Sequence, residues 1–520
     1  MNKIAKKFTA LVGVVAIVGL VPVAQAAPIT AVYSNIAQTA TLDPAIAYSS
    51  DGFVFVRNVY EGLVEYKPGT MELQAALATS WKSSSDGLTF TFTIRSGVKF
   101  HDGTTLDADA VVKGLERVIA VNQGPATNLS SVKSIVASGS DKVIITTSKK
   151  DYTFLGTLPK VPIVSPTAVD KNKTTADPQA KSWFAVNAAG TGPYVLDKFE
   201  RNKAITIKKF DSYWRPFDAL TPTTVVIRVD PDIATAMQLL AAGQVDFMGA
   251  VGPDDSTLAK SNKNLQVLES PSYYIQMMPM NVTKGALKDV RVRQAIALAF
   301  DYKGMVDFYK GWASPTTGPL PTAFSTNIAN RPKLQQDLVL AKRLLKSAGY
   351  EKGLTITYLG LKGLSYEEFA GVLLEDSLKK IGITVKQVYV GWPQMAAAYS
   401  KIETSYDISF LNMSAFSPDA SDFLAKSYAS INMGNKGGYN WSFYENAKLD
   451  EDLAGLKLIK SDKLRLIKTE MINAEIAKKH LAIYVAQPKL AQPVRAGWTG
   501  FYDSLDANYT IRFFYTKKVG

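Results

Sequence analysis

Very few side chains in this 520-residue chain are equipped for covalent chemistry. There is no cysteine, and the only histidines are His101 and His480. Thiol catalysis, disulfide scaffolds, zinc ribbons and iron–sulfur sites are thereby excluded. Two histidines far apart in sequence also make a poor nickel or zinc set, so no metal and no cofactor are expected. Ser96-x-x-Lys99 and Ser130-x-x-Lys133 match the short serine–lysine pattern of acyl transfer, but that pattern recurs by chance in a lysine- and serine-rich chain. Gly-x-Ser-x-Gly, His-Glu-x-x-His and P-loop motifs are absent. A carboxylate pair for glycoside hydrolysis is left open, because its spacing exists only in the fold. The aromatic side chains Trp392, Tyr439 and Trp441, the last two in the glycine-rich stretch 434–441, can stack on a ring or a peptide plane. Trp392 and Trp441 can equally well be core residues.

The elements that must position these residues are mixed α and β. Residues 88–94 (LTFTFTI) alternate as a half-buried strand does, after the turn Ser85-Asp86-Gly87. Residues 142–147 form a second strand, and 107–118 a helix with Ala110, Val111, Leu115 and Val118 on one face. A strand–helix–strand unit runs from 223 to 248, with Gly243 stopping its helix. After residue 272 come helices at 289–300, 338–347 and 366–381 and strands at 354–358, 383–390 and 406–411. The tail reads as strands at 482–485 and 509–514. Strand–helix–strand order with short loops predicts an α/β fold.

The first residues stand apart. Lys3, Lys6 and Lys7 precede an apolar run at 8–21 and then Ala24-Gln25-Ala26, the three-part pattern of a secretory signal peptide cut after Ala26. The run is shorter than the ~20 residues a membrane span needs. Loss of those three lysines lowers the net charge from +13 to +10. The remaining basic residues are interleaved with acids and apolar side chains, which predicts a solvated surface and no nucleic-acid partner. No cysteine follows the leader, so a lipid anchor is not expected.

Several motifs then fall in order. Thr41-Leu42-Asp43-Pro44 precedes Val59-Tyr60-Glu61-Gly62-Leu63-Val64, Leu77-Ala78-Thr79-Ser80-Trp81 and Asp86-Gly87-Leu88-Thr89-Phe90. Arg95-Ser96-Gly97-Val98-Lys99-Phe100-His101-Asp102-Gly103 and Gly190-Thr191-Gly192-Pro193-Tyr194 come next. Gly243-Gln244-Val245-Asp246, Asp289-Val290-Arg291-Val292-Arg293-Gln294-Ala295 and Ala341-Lys342-Arg343-Leu344-Leu345 before Ala348-Gly349-Tyr350 complete the series. Together they resemble the family 5 extracellular solute-binding proteins, over essentially all of 27–520. Most of these motifs read locally as scaffold, and His101 as a structural hydrogen-bonding histidine.

The resemblance implies an α/β, two-lobed periplasmic-binding-protein fold of type II, in its large variant, with the ligand cleft between lobes. It implies lobe I at 27–272, with an extra subdomain within about 70–220, lobe II at 273–489, and a return to lobe I at 490–520. The chain crossings are placed near 273–280 and 485–493. It further implies a periplasmic, monomeric receptor that hands a peptide-like or other small organic solute to an inner-membrane ABC permease, and that is not an enzyme. The alternative is a secreted hydrolase acting on peptides or glycosides.

Peptide-binding members hold the ligand's amine with an aspartate shortly before a characteristic phenylalanine. Matching that phenylalanine to Phe423 puts Phe416, not an acid, at the aspartate position. A three-residue shift of the match would put Asp419 there, and Asp422 falls at a position that reads as structural. By the same matching, Ser49, Ser50 and Asp51 lie on a ligand-facing loop, Trp392 follows a lobe II strand, and Met413 and Phe416 line the loop above. Tyr439 and Trp441 complete the expected ligand-binding set.

Overall fold

The computed structural model describes residues 28–35, 37–70, 72–249, 251–270, 272–324, 331, 334–415, 417–500 and 511–520. The leader at 1–26 and Phe416 lie outside them, and the side chain of Ser50 is not described.

Two sheets organise the molecule. The first has seven strands in the order Leu265–Ser270, Leu490–Arg495, Phe247–Met248, Thr30–Asn35, Thr224–Val229, Ala204–Lys209, Tyr194–Glu200. Its middle is parallel, Thr30–Asn35 pairing with both Thr224–Val229 and Phe247–Met248. Ala31, Tyr33, Val225, Ile227 and Phe247 are buried in one core with Phe55, Val59 and Phe513. A four-stranded antiparallel sheet, Ala78–Ser83, Thr89–Ile94, Lys142–Thr147 and Val132–Ala137, forms a subdomain beside it. Thr89–Ile94 alternates between half-buried and buried along its length, as its sequence predicts. The helix Ala108–Val121 covers that sheet with Val111, Leu115 and Val118.

The second body holds the sheet Ala313–Ser314, Ala482–Pro488, Tyr274–Pro279, Leu411–Ser414 and a parallel sheet Ile383–Val390, Leu354–Leu361, Ile408–Ser409. A bridge between Met280 and Ile408 joins the two. The chain leaves the first sheet at Ser270, enters the second body at Tyr274, and returns between Pro488 and Leu490. Gln487 Nε2 donates to Ser272 O at 2.6 Å and ties the two crossings together.

Two sequence motifs acquire partners. Asp43 receives Arg117 through two nitrogens at 2.9 and 2.8 Å, both side chains being nearly inaccessible to water. Arg117 also donates to Gln179 O at 2.8 and 2.9 Å and lies over the Phe184 ring. The loop at 190–193 packs directly on the end of the helix Ser50–Val59. A Cβ at Gly190 would lie 2.2 Å from Val59 O, so no larger residue fits. His101 clamps that loop: Gly190 N donates to Nδ1 at 3.3 Å, and Nε2 donates to Gly192 O at 3.0 Å.

The tail departs from expectation. Residues read as a strand up to 514 instead form a 3-10 turn at Phe513–Tyr515. Phe513 N donates to the Asn58 side chain at 2.8 Å, so its ladder donor is taken, and its ring packs edge-on against Tyr33 and Phe247. Of the expected strand at 244–248, only Phe247–Met248 pairs.

Candidate ligand cleft

In an open α/β sheet a ligand usually lies beyond the C-terminal ends of the parallel strands. In the first body the helix Ser50–Val59 follows the strand Thr30–Asn35. Ser49 is its N-cap, accepting from Gly52 N at 3.4 Å. Asp51, in its first turn, is half-buried, and that burial raises its carboxyl above the ordinary range. Tyr48 precedes the cap. Its hydroxyl accepts from Asn128 Nδ2 at 3.0 Å. Burial pushes this phenol up to about 12, against the Asn128 hydrogen bond and with help from the charge of Asp422.

In the second body, a polar network sits where Leu354–Leu361 ends and the helix Ser365–Lys379 begins. Tyr309 donates to Gln276 Oε1 at 2.9 Å, Gln276 donates to Tyr274, and Tyr274 donates to Asn412 Oδ1. Asn412 Nδ2 then donates to Tyr366 and to Glu367 Oε1, each at 3.2 Å. Glu367 Oε2 accepts from Leu361 N at 2.7 Å. Burial pushes the Glu367 carboxyl up to about 7, opposed by those two hydrogen bonds. None of these side chains was picked out from sequence. The available signal was positional: a Tyr-Glu pair starting a helix just after a strand.

Between the bodies lies a cavity of about 1950 Å³, lined by Tyr48, Asn128 and Thr157 on one side and by Asp422, Lys426 and Tyr439 on the other. The bodies also touch at its outer edge. Tyr152 N donates to Lys457 O at 2.9 Å, Lys457 pairs with Asp151 at 3.6 Å, and a Cβ on Gly156 would meet Pro418 Cγ at 3.0 Å.

Of the described sequence-derived candidates Tyr439 alone is among the residues lining this cavity; Ser49, Asp51, Trp392, Met413, Asp419 and Trp441 are not. Tyr439 lines the cavity and is half-buried. Trp392 starts the helix Trp392–Tyr399 and is 49% exposed, one ring face stacked on Trp441 at 6.0 Å. Trp441 is 4% exposed, sandwiched between Trp392 and Tyr399, and its Nε1 donates to Gly438 O at 3.1 Å. It is a core residue, as is Met413, which packs with Leu411 and Phe423. Asp419 caps the helix Ala420–Tyr428, accepting from Ser421, and pairs with Arg465 Nε at 2.6 Å. Its oxygens are thus committed to the scaffold. His101 and His480 stand apart, one on the 190–193 loop and the other after the helix Asp462–Ala477.

Two lobes joined by two crossings, with a cavity lined from both, define a solute receptor. Residues 72–435 match the model of the bacterial extracellular solute-binding proteins, family 5 (middle), and the chain belongs to that family. It is 29% identical over 430 residues, 80% of each chain, to the glutathione-binding protein GsiB of Shigella flexneri. The periplasmic binding protein DppA of Helicobacter pylori, solved with the peptide STSA, superposes with a TM-score of 0.80 at 24% identity, covering 95% of this chain and 99% of that one. NikZ of Campylobacter jejuni, solved with Ni(L-His), gives 0.78 at 23% identity, covering 94% and 99%. The fold is therefore the two-lobed periplasmic-binding-protein fold, and the solute-receptor reading stands where the hydrolase alternative finds no support. No described helix is long and apolar enough to cross a membrane.

Proposed function

We propose that this chain is the periplasmic receptor of an ABC importer, exported by the leader at 1–26 and free of a lipid anchor. It captures a peptide-like or other small organic solute between its lobes and delivers it to an inner-membrane permease without turning it over. It works as a monomer. The moving bodies are 27–272 with 490–520, and 273–489, and the crossings at 270–274 and 488–490 are the hinge. Closure turns occupancy of the cleft into a shape the permease reads. The observation that carries this reading is a cavity of about 1950 Å³ lined from both lobes in a family 5 chain. Glutathione and peptide binding among its relatives support a peptide-like ligand.

Native mass spectrometry of protein purified from its own host is expected to show one bound small molecule. Adding that molecule to stripped protein raises the unfolding temperature, because a ligand at a hundred times its Kd stabilises by about 2.7 kcal/mol. Sustained product formation from a peptide or glycoside panel would overturn the proposal.

Trp392 gives a second test. Its ring is half-exposed, so Trp392→Ala should change unfolding free energy by no more than ~1 kcal/mol. Losing an aromatic wall should weaken ligand binding roughly tenfold, the worth of one stacking contact. Calorimetric titration beside urea unfolding separates the two; unchanged affinity removes Trp392 from the site.

A further inference from the structure

Helices on the surface of a water-soluble protein turn their apolar stripe inward. The helix Asp462–Ala477 does so only in part. Its buried residues are Arg465, Thr469, Asn473 and Ile476. Arg465 pairs with Asp419, and Asn473 Oδ1 accepts from Leu320 N at 3.0 Å, so polar side chains fasten much of the inner face. The outer face carries Leu464, Ile467 and Met471, which are 45%, 50% and 65% exposed. Their spacing of three and four residues sets them in one row, continued by the exposed Ala474. Leu458, just before the helix, is exposed as well. Apolar residues scattered singly over a surface need no explanation, but a contiguous row does.

The charges beside the row are uneven. Asp462 pairs with Arg465, Glu470 with Arg331 and Glu475 with Lys478. Lys460, Lys463 and Lys468 are exposed and form no ion pair among the described residues. Helical geometry puts Lys463 and Lys468 on opposite flanks of the row. We propose that this helix rests on an anionic phospholipid surface, with its apolar row in the headgroup boundary and its lysines against the phosphates. An apolar row with cationic flanks is the complement of such a surface, and a chain of net charge +10 without its leader is drawn to it as a whole. The row is too short for a coiled-coil seam, which runs over at least about three heptads. Lys468 and Met471 also border the interlobe cavity. A chain held by this helix therefore turns the lobe II rim of its cleft toward the bilayer that carries the permease. The inference goes beyond the receptor reading and does not depend on the solute.

The test is co-sedimentation of the mature chain, recovered after export so that the apolar leader is gone. One set of vesicles mixes phosphatidylethanolamine with phosphatidylglycerol, and the other is phosphatidylcholine alone. Circular dichroism and urea unfolding check that each variant folds. The expected result is binding to the anionic vesicles and not to the neutral ones, weakened as salt screens the lysines. The triple variant Leu464→Gln, Ile467→Gln, Met471→Gln should bind about tenfold more weakly or worse, having lost the apolar contact. Lys460→Glu, Lys463→Glu and Lys468→Glu together should cost about 100-fold, since each lysine at an anionic surface is worth about fivefold. Lys82→Glu, Lys133→Glu and Lys142→Glu, an equal change of net charge on the subdomain sheet, should stay within about threefold of the wild type. Absence of binding to the anionic vesicles overturns the proposal, as does full binding by the glutamine variant or an equal loss in both glutamate variants. A wild-type dimer in analytical ultracentrifugation that the glutamine variant dissolves makes a second copy the occupant, and overturns it too. Vesicle binding is read without solute, so each of these failures leaves the receptor reading standing.

Discussion

Asp43→Ala is expected to lower the stability of the first lobe by about 3–5 kcal/mol, the range for removing one partner of a buried ion pair. Arg117 would keep its bonds to Gln179 O and its contact with the Phe184 ring. It would lose both bonds to a carboxylate and retain a full charge with 3% of its side chain exposed. Asp43 also receives Ala45 N at 3.0 Å, so the turn around Pro44 loses its internal tie as well. Urea unfolding of the full chain, followed by fluorescence, measures the loss. The double variant Asp43→Leu with Arg117→Met should recover most of it, because paired removal abolishes the buried charge that single removal strands. A loss under ~1 kcal/mol in Asp43→Ala would show that water reaches Arg117, contrary to the packing around it.

Asp43 also shows how far sequence reading reaches. Leu42-Asp43-Pro44 was legible as a turn, since proline fixes φ and aspartate bonds its own backbone locally. The partner 74 residues away was not, because nothing in the pattern of the helix Ala108–Val121 marks Arg117 as facing inward. The same division holds throughout. Period-2 and period-3.6 patterns announced Thr89–Ile94 and Leu338–Ser347, and Gly349 and Gly382 closed their helices at positive φ as read. Local pattern says little about which face of a long-range pairing a side chain meets. Met413, read as a cleft wall, points into the core because Leu411–Ser414 pairs with Tyr274–Pro279 in the register that sends Asn412 to the opposite face, while Trp441 is held in the core by stacking between Trp392 and Tyr399. That register is set by contact with a strand more than a hundred residues away.

The dependence of stability on pH should expose two buried groups that pull in opposite directions. Burial holds the His101 imidazole down at about 4, against its ordinary 6.5, despite the Gly192 hydrogen bond and the nearby Asp102 charge. A base depressed in the fold contributes stability that is complete above the unfolded value and is lost as pH falls toward the folded one. Stability due to His101 therefore rises between pH 4 and 6.5, by roughly 3 kcal/mol at 1.36 kcal/mol per unit. His480, held down to about 4 by burial and by Arg293, acts in the same direction but is more open to solvent and contributes less. Glu367 does the reverse. Its carboxyl is raised to about 7 by burial, so its contribution is complete below 4.5 and is lost as pH rises through 7. Glu367→Gln keeps an acceptor for Leu361 N and removes the ionisation. It should match the wild type near pH 4.5 apart from a constant offset, then gain on it steadily, reaching an advantage of roughly 2–3 kcal/mol at pH 8. His101→Gln should lower stability overall and flatten the rise between pH 4 and 6.5. The two slopes, read from urea midpoints at half-unit steps of pH, are independent of the offsets that any substitution introduces. If Glu367→Gln runs parallel to the wild type across pH 5–8, the acid is ionised in the fold at neutral pH. The network from Tyr309 to Asn412 would then end at a charge, not at a neutral carboxylic acid.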